Sequence, residues 1–204
     1  MANPFFAHQH WLDARISRLR QSRSLGYNAS MKTTGRSQFI VRALQSEADL
    51  VECLALDHSY QTEQVWQMDL REDRGEIVVR LRPVRLPRTV VVEYPRDVAA
   101  LAQLWKRRDC FLVAEAQGII LGYVNVRITP AERSAWIEDL VVGAPFRRHR
   151  IGTALLEQAA EHVMERDAQR LTLAVQTKNH PAIAFAQANG FIFCGYNDHY
   201  YAHT

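Results

Sequence analysis

Two carboxylates and a basic turn lie close together in Ile137-Glu-Asp-Leu-Val-Val-Gly-Ala-Pro-Phe-Arg-Arg-His-Arg-Ile-Gly-Thr-Ala-Leu-Leu156. Glu138 and Asp139 are groups that can accept a proton. Arg147, Arg148, His149 and Arg150 concentrate positive charge immediately before Gly152. A helix start leaves backbone N–H groups unpaired and carries partial positive charge. A basic turn leading into a helix is therefore a site for a phosphate or pyrophosphate.

The flanking pattern supplies the elements this chemistry needs. Residues 137–142 are apolar and β-branched enough for a buried strand, which Gly143 and Pro145 end. From Gly152, apolar residues recur at Leu155, Leu156, Ala159, Ala160, Val163 and Met164, the stripe of a helix.

Elsewhere, residues 39–44 and 110–115 read as strands, and 119–128 as the return of a hairpin around Gln117-Gly118. Residues 47–57 read as a helix capped by Ser46, with Leu50, Val51, Leu54 and Ala55 inward. Residues 58–75 are polar, aromatic and acidic. They read either as an acceptor-binding segment, with Tyr60, Glu63, Trp66, Met68, Asp69, Glu72 and Asp73, or as a plain surface loop. Residues 77–86 and 89–94 read as two strands, with Pro83 and Pro87 marking an edge or a bend. A helix over 97–108, a strand over 171–176, a helix over 181–188 and a strand over 191–196 complete the order. The fold class is α/β: a mixed, mostly antiparallel sheet flanked by helices.

Composition narrows the function classes. The formal net charge is +3, but residues 1–37 hold six Lys/Arg against one acid. The rest is slightly acidic, which argues against a nucleic-acid binder. We expect residues 1–37 to be a basic appendage, disordered or with a helix around Trp11, Leu12, Ile16 and Leu19, and dispensable for chemistry. Residues 38–204 are then the functional domain. No apolar run approaches a membrane span. The three cysteines are isolated and read as buried thiols, which points to a cytoplasmic protein. The histidines form no metal-ligand pattern, so no metal is expected. Gly-x-x-x-x-Gly-Lys-Ser/Thr and Gly-x-Gly-x-x-Gly are absent, which argues against an ordinary nucleotide-binding module.

The 147–152 turn resembles the acetyl-CoA motif of the GNAT-type N-acetyltransferase superfamily, Gln/Arg-x-x-Gly-x-Gly/Ala after a strand. Arg147 matches its first position and Gly152 its last, with Arg150 in place of the middle glycine. Asn179…Ala182-Ile-Ala-Phe185…Asn189-Gly-Phe191 resembles a second family segment, with Ala186 where many members carry an acidic tyrosine. Within the superfamily the chain is most similar to streptothricin acetyltransferase-like bacterial members.

The resemblance implies acetyl-CoA as co-substrate and a primary amine of a small molecule or peptide as acceptor. It implies a cofactor site at Leu140, Val141, Val142, Arg147, Arg148, His149, Arg150, Ile151, Gly152, Thr153 and Asn179. A bulge on the central strand would free the Leu140 N–H to polarise the thioester carbonyl, and Val142 would pair with the pantetheine arm. Strand alternation puts Glu138 on the face of Leu140 and Val142, with Asp139 opposite. Glu138 is therefore either the base or the partner of an arginine. With Ala186 at the tyrosine position, the acid is expected to be Tyr196, with Tyr200, Tyr201 or solvent as alternatives. The family members usually have one more strand after this point, so the fold is expected to lack its last strand. The alternative function is a catalytically silent CoA-binding sensor or interaction protein of the same fold. A homodimer is a further expectation.

Overall fold

A computed structural model describes residues 8–15, 39–93, 103, 105–106 and 109–198. Its strands are β1 (His8–Arg15), β2 (Ile40–Ala43), β3 (Tyr60–Asp73), β4 (Glu76–Val92), β5 (Cys110–Ala116), β6 (Ile119–Thr129), β7 (Ser134–Val142), β8 (Arg170–Gln176) and β9 (Ile192–Asp198). Its helices are α1 (Glu47–Ala55), α2 (Ile151–Met164) and α3 (His180–Ala188). Most of the helix expected over 97–108 lies outside the described residues. Among the described residues no helix is long and apolar enough to cross a membrane. The chain forms two compact units, residues 13–58 with 96–173, and residues 1–12 with 59–95 and 174–204.

The first unit carries β2, β5, β6, β7 and residues 170–173 of β8, successive neighbours in one sheet. Successive pairs are antiparallel except β7 and β8, which run parallel and are joined through α2. A parallel pair needs such a crossover. The stripe foreseen on α2 is buried: Ile151, Leu155, Leu156, Ala159, Ala160 and Val163. It packs on β5, β6 and β7, where Val113, Val124 and Val126 are fully buried. This is the mostly antiparallel, helix-flanked sheet expected.

Helix α1 begins at Ser46, whose Oγ accepts from the Asp49 N–H at 3.2 Å. Its buried face is Leu50 and Cys53, and Val51 is 63% exposed. Leu50 is inward as expected and Leu54 is half-buried, but Val51 and Ala55 are exposed, because the small thiol of Cys53 takes the inward position. Arg42 of β2 ties the helix to the sheet, bonding Asp49 Oδ2 and Glu115 Oε2 at 2.6 Å each. The Arg42 guanidinium holds Asp49 down at about 2. A depressed carboxylate adds stability above the unfolded value near 3.9, and that stability is lost as pH falls towards 2. Asp49→Asn should therefore flatten the acid limb of an unfolding profile between about pH 4 and 2. Urea titrations at each pH check this, and a limb of unchanged steepness would contradict it.

Cys53 and Cys110 are buried, and burial pushes each thiol up to about 12. Cys194 is exposed, which corrects the expectation of three buried thiols. It sits on β9 beside Ile192 and Phe193, apolar residues that suggest burial but are themselves 61% and 44% exposed.

In the second unit, among the described residues, β3 and β4 form a sheet of their own, one long antiparallel hairpin. The acceptor segment expected over 58–75 is thus mostly a strand, and the two strands expected over 77–94 are one. The turn is Arg74-Gly75, both at positive φ (49° and 86°), the geometry of a two-residue hairpin loop. Pro83 and Pro87 are tolerated because β4 has an unpaired edge. Register puts Trp66, Met68, Leu70, Ile77, Val79 and Leu81 on one face, and Gln67, Asp69, Arg80 and Arg82 on the other. Trp66 fixes the base of the hairpin. Its N–H donates to Thr177 O at 2.8 Å, and Nε1 donates to His180 Nδ1 at 3.1 Å.

Residues 8–12 of β1 belong to this unit, as do residues 174–176 of β8 and the whole of β9. The helix expected around Trp11 and Leu12 is, over residues 8–15, a strand. Leu12 and Ala14 are buried, at 1% and 3% exposure. The pattern misled because the strand neighbours are distant in sequence. Residues 16–37 of the expected appendage lie outside the described residues.

Candidate active site

On β7 the register slips by one residue. Val126 pairs with Ile137 and Asn125 with Asp139, leaving Glu138 as the extra residue of a β-bulge. The bulge expected on the central strand is present, and it changes which side chains share a face. Residues directly opposite on paired strands share a face. Asp139 therefore lies with Asn125, while Leu140 and Val142 lie with Val124 and Gly122 on the other side. Glu138 also turns to the Asn125 side, since Asn125 Nδ2 is 3.5 Å from both Glu138 Oε2 and Asp139 Oδ2. The alternation that placed Glu138 with Leu140 and opposite Asp139 is corrected by this one-residue insertion.

The two carboxylates have different surroundings. Glu138 is paired with Arg127, whose Nε lies 3.1 Å from Oε1. Asp139 is 3% exposed, and burial alone pushes its carboxyl up to about 7. Desolvation disfavours the ionised form, so Asp139 changes charge near neutral pH. Farther along the same face, Tyr123 is fully buried, with its hydroxyl 3.0 Å from His58 Nε2. Burial lowers the His58 pKa and favours the neutral ring. Tyr123, Asn125 and Arg127 were missed in the sequence. Their signal was polar side chains at every second position of an otherwise apolar strand.

The β7–β8 ladder ends at Ile137 and Leu173. Beyond it, Leu140, Val141 and Val142 pair with β6 only. Their other edge is a row of backbone groups that the sheet does not use, suited to an extended ligand. Leu140 and Val142 are half-buried and Val141 is buried.

A short 3-10 turn, Ala144–Phe146, leads to the basic segment. Arg147 Nε donates to Val142 O at 2.9 Å, and Nη2 donates to Asp57 O at 3.2 Å. Arg147 thus braces the turn through backbone carbonyls. Arg148, His149 and Arg150 are exposed. Arg148 and Arg150 are left-handed, at φ 69° and 65°. Arg150 therefore adopts the backbone region where glycine is expected, which costs a side chain roughly 1–2 kcal/mol. It is the N-cap of α2 and makes no side-chain cap bond. The first-turn amides at Ile151, Gly152 and Thr153 have no intrahelical partners.

Asn179 and Tyr196 belong to the other unit. Asn179 caps α3, its Oδ1 accepting from the Ala182 N–H at 3.1 Å. Tyr196 is half-buried on β9. Among the described residues no group of His, Cys, Asp or Glu is arranged to hold a metal ion.

The first unit thus combines a proton acceptor, an open strand edge and a basic helix start. Residues 61–191 match the model of the acetyltransferase (GNAT) family. Streptothricin acetyltransferase of Streptomyces lavendulae is 29% identical over 180 residues, covering 85% of this chain and 92% of that protein. An N-alpha-acetyltransferase of Sulfolobus acidocaldarius is 27% identical over 130 residues, 58% of this chain and 77% of that protein. The crystal structure of nourseothricin acetyltransferase superposes with a TM-score of 0.65 at 28% identity, covering 77% of this chain and 85% of that one. A Bacillus anthracis protein solved in complex with acetyl coenzyme A shares the fold, with a TM-score of 0.62 at 21% identity over 78% of this chain and 86% of that one. The family match spans more than half of the sequence and contains the bulged strand, the basic turn and its helix, so the chain belongs to the acetyltransferase (GNAT) family and is an N-acetyltransferase.

Proposed function

We propose that the chain transfers an acetyl group from acetyl-CoA to a primary amine of a small molecule, in the cytoplasm. The observation that carries this reading is the bulge that sets Glu138 beside the open edge of β7. The residues fit the co-substrate. Exposed Arg148, His149 and Arg150 and the amides of Ile151, Gly152 and Thr153 suit a diphosphate. The Leu140–Val142 edge beyond the β8 ladder, where Arg147 already bonds Val142 O, suits an amide-bearing arm through its remaining backbone groups. Acetyl-CoA would supply an acetyl thioester, which an unprotonated amine attacks with loss of the thiol. Glu138 takes the proton that the amine must lose, directly or through a water. The Leu140 N–H lies in the plane of the sheet, so an edge-bound ligand is reached from either face. The bulge therefore does not separate Glu138 from that donor. Arg127 and Asn125 hold the Glu138 carboxylate in place.

A small-molecule acceptor is favoured over a protein N-terminus because the streptothricin-acetylating relative is matched over most of both chains. The test is thiol release from acetyl-CoA with streptothricin, polyamines, amino acids and N-terminal peptides, alongside calorimetric binding of acetyl-CoA. Turnover with a small amine is expected. Binding without stimulation by any amine would replace this reading with the silent sensor.

The phosphate part has its own test. A β-branched side chain at Gly152 would stand between the first-turn amides and a phosphate. Gly152→Val should weaken acetyl-CoA binding about ten-fold or more, roughly 1.4 kcal/mol upward. Unchanged affinity in a folded variant would remove the phosphate from this turn.

A further inference from the structure

Within the first unit, one side chain touches both the end of β7 and the exit of α1. Arg147 Nε donates to Val142 O at 2.9 Å, and Nη2 of the same side chain donates to Asp57 O at 3.2 Å. We propose that Arg147 is a positioning residue for the acceptor amine: it holds the loop after α1 so that His58 stays on Tyr123, on the face of Glu138. This rests on the reading that an amine is acetylated at that face.

Three observations carry it. First, a guanidinium is a rigid planar fork, so two carbonyls bonded by one fork are fixed relative to each other. Val142 ends β7, and Asp57 lies just past the end of α1. Second, the loop meets the end of β7 at another point. A Cβ added at Gly143 would lie 3.2 Å from Leu56 Cδ2. Leu56 is itself tied back to the helix, its N–H donating to Cys53 O at 3.3 Å. The apolar contact sets the distance between loop and strand, and the Arg147 fork sets the orientation.

Third, the next residue of the loop reaches the face where the base is proposed. His58 Nε2 is 3.0 Å from the Tyr123 hydroxyl, and the two rings lie 5.9 Å apart. Tyr123 and Asn125 share a face of β6, and Asn125 is the residue that meets Glu138. An amine presented to Glu138 therefore arrives on the side of the sheet that His58 covers. A diphosphate at the start of α2 instead meets Arg148, His149 and Arg150. The His58 ring faces Tyr123, the Asp57 charge and a backbone hydrogen bond at Leu56. Burial lowers its pKa against the last two, which favour the charged ring.

The experiment uses the full-length chain with acetyl-CoA and, as acceptor, streptothricin or the best amine of the panel above. Arg147→Lys keeps the charge but loses the fork. It should raise the amine KM about ten-fold and leave calorimetric acetyl-CoA affinity within about two-fold. Tyr123→Phe, which removes the hydroxyl that His58 meets and keeps both Arg147 bonds, should raise the same KM. The double variant should resemble either single one, because both release one loop. An NMR titration of His58 without substrate gives a separate readout. In Arg147→Lys the ring loses its burial, so its pKa should rise towards the ordinary value of about 6.5.

Acetyl-CoA affinity lost with amine KM unchanged would overturn the proposal and place Arg147 in the cofactor site alone. A His58 titration identical to that of the native chain would overturn it too. If Arg147→Lys does not fold, an unchanged amine KM in Tyr123→Phe has the same force. A chain that turns over no amine fails the acetyl-transfer reading instead, and the His58 titration still decides whether Arg147 holds the loop.

Discussion

Replacing Glu138 by Gln should lower turnover at neutral pH by roughly 10²-fold or more, the usual scale for a general base. Binding of acetyl-CoA should be nearly unchanged. Glutamine keeps the shape and still accepts a hydrogen bond from Arg127, which is 3.1 Å from Oε1 in the native pair. Only the proton acceptor is lost. An alkylamine is almost wholly protonated at pH 7, so the deficit should shrink as pH approaches its pKa, about 10. A rate–pH profile of the variant checks this. A loss equal at every pH would mean that Glu138 positions substrate. The parallel variant Asp139→Asn decides between the neighbours, because burial brings Asp139 to about 7. If Asp139→Asn shows the pH-dependent loss and Glu138→Gln does not, the base is Asp139.

The second large effect concerns Gly122, where β6 approaches β7 too closely for a side chain. An added Cβ would meet Val141 O at 2.5 Å and Val142 Cα at 3.1 Å. Both are backbone atoms of the bulged strand, and neither can turn aside as a side chain could. Gly122→Val should force β7 away from β6 around Val141 and Val142, the residues proposed to line the ligand edge. Overpacking typically costs 1–3 kcal/mol, and against backbone we expect about 3 kcal/mol or more. Thermal unfolding and acetyl-CoA calorimetry should both register the loss. A variant with native midpoint and native affinity would show that the two strands can part without consequence.

Local features were legible in the sequence and non-local ones were not. The strand, basic turn and helix over 137–164 form one contiguous pattern, and the stripe Leu155, Leu156, Ala159, Ala160 and Val163 could be read from spacing alone. The bulge could not, because it is a relation between Asn125–Val126 and Ile137–Asp139 on two strands. That single slip decided which face Glu138 occupies. The β3–β4 hairpin was partly within reach. Arg74-Gly75 between two long runs is a turn signal, but the acids and aromatics around it read as a loop. The placement of β1 was beyond reach. Its strand partners lie more than 150 residues away, and nothing within residues 8–15 names them.

The distribution of the thiols makes the chain its own reporter of unfolding. Cys194 is exposed on β9, while Cys53 and Cys110 are shut inside with their thiols pushed up to about 12. Thiolates, not thiols, react with disulfide reagents. A colorimetric titration near pH 8 should therefore count one fast sulfur in the native protein and three after denaturation. The lag before the second and third appear times the opening of α1 and β5. With Cys194 changed to Ser, the same titration becomes a stopwatch with no starting signal, silent until the interior is breached.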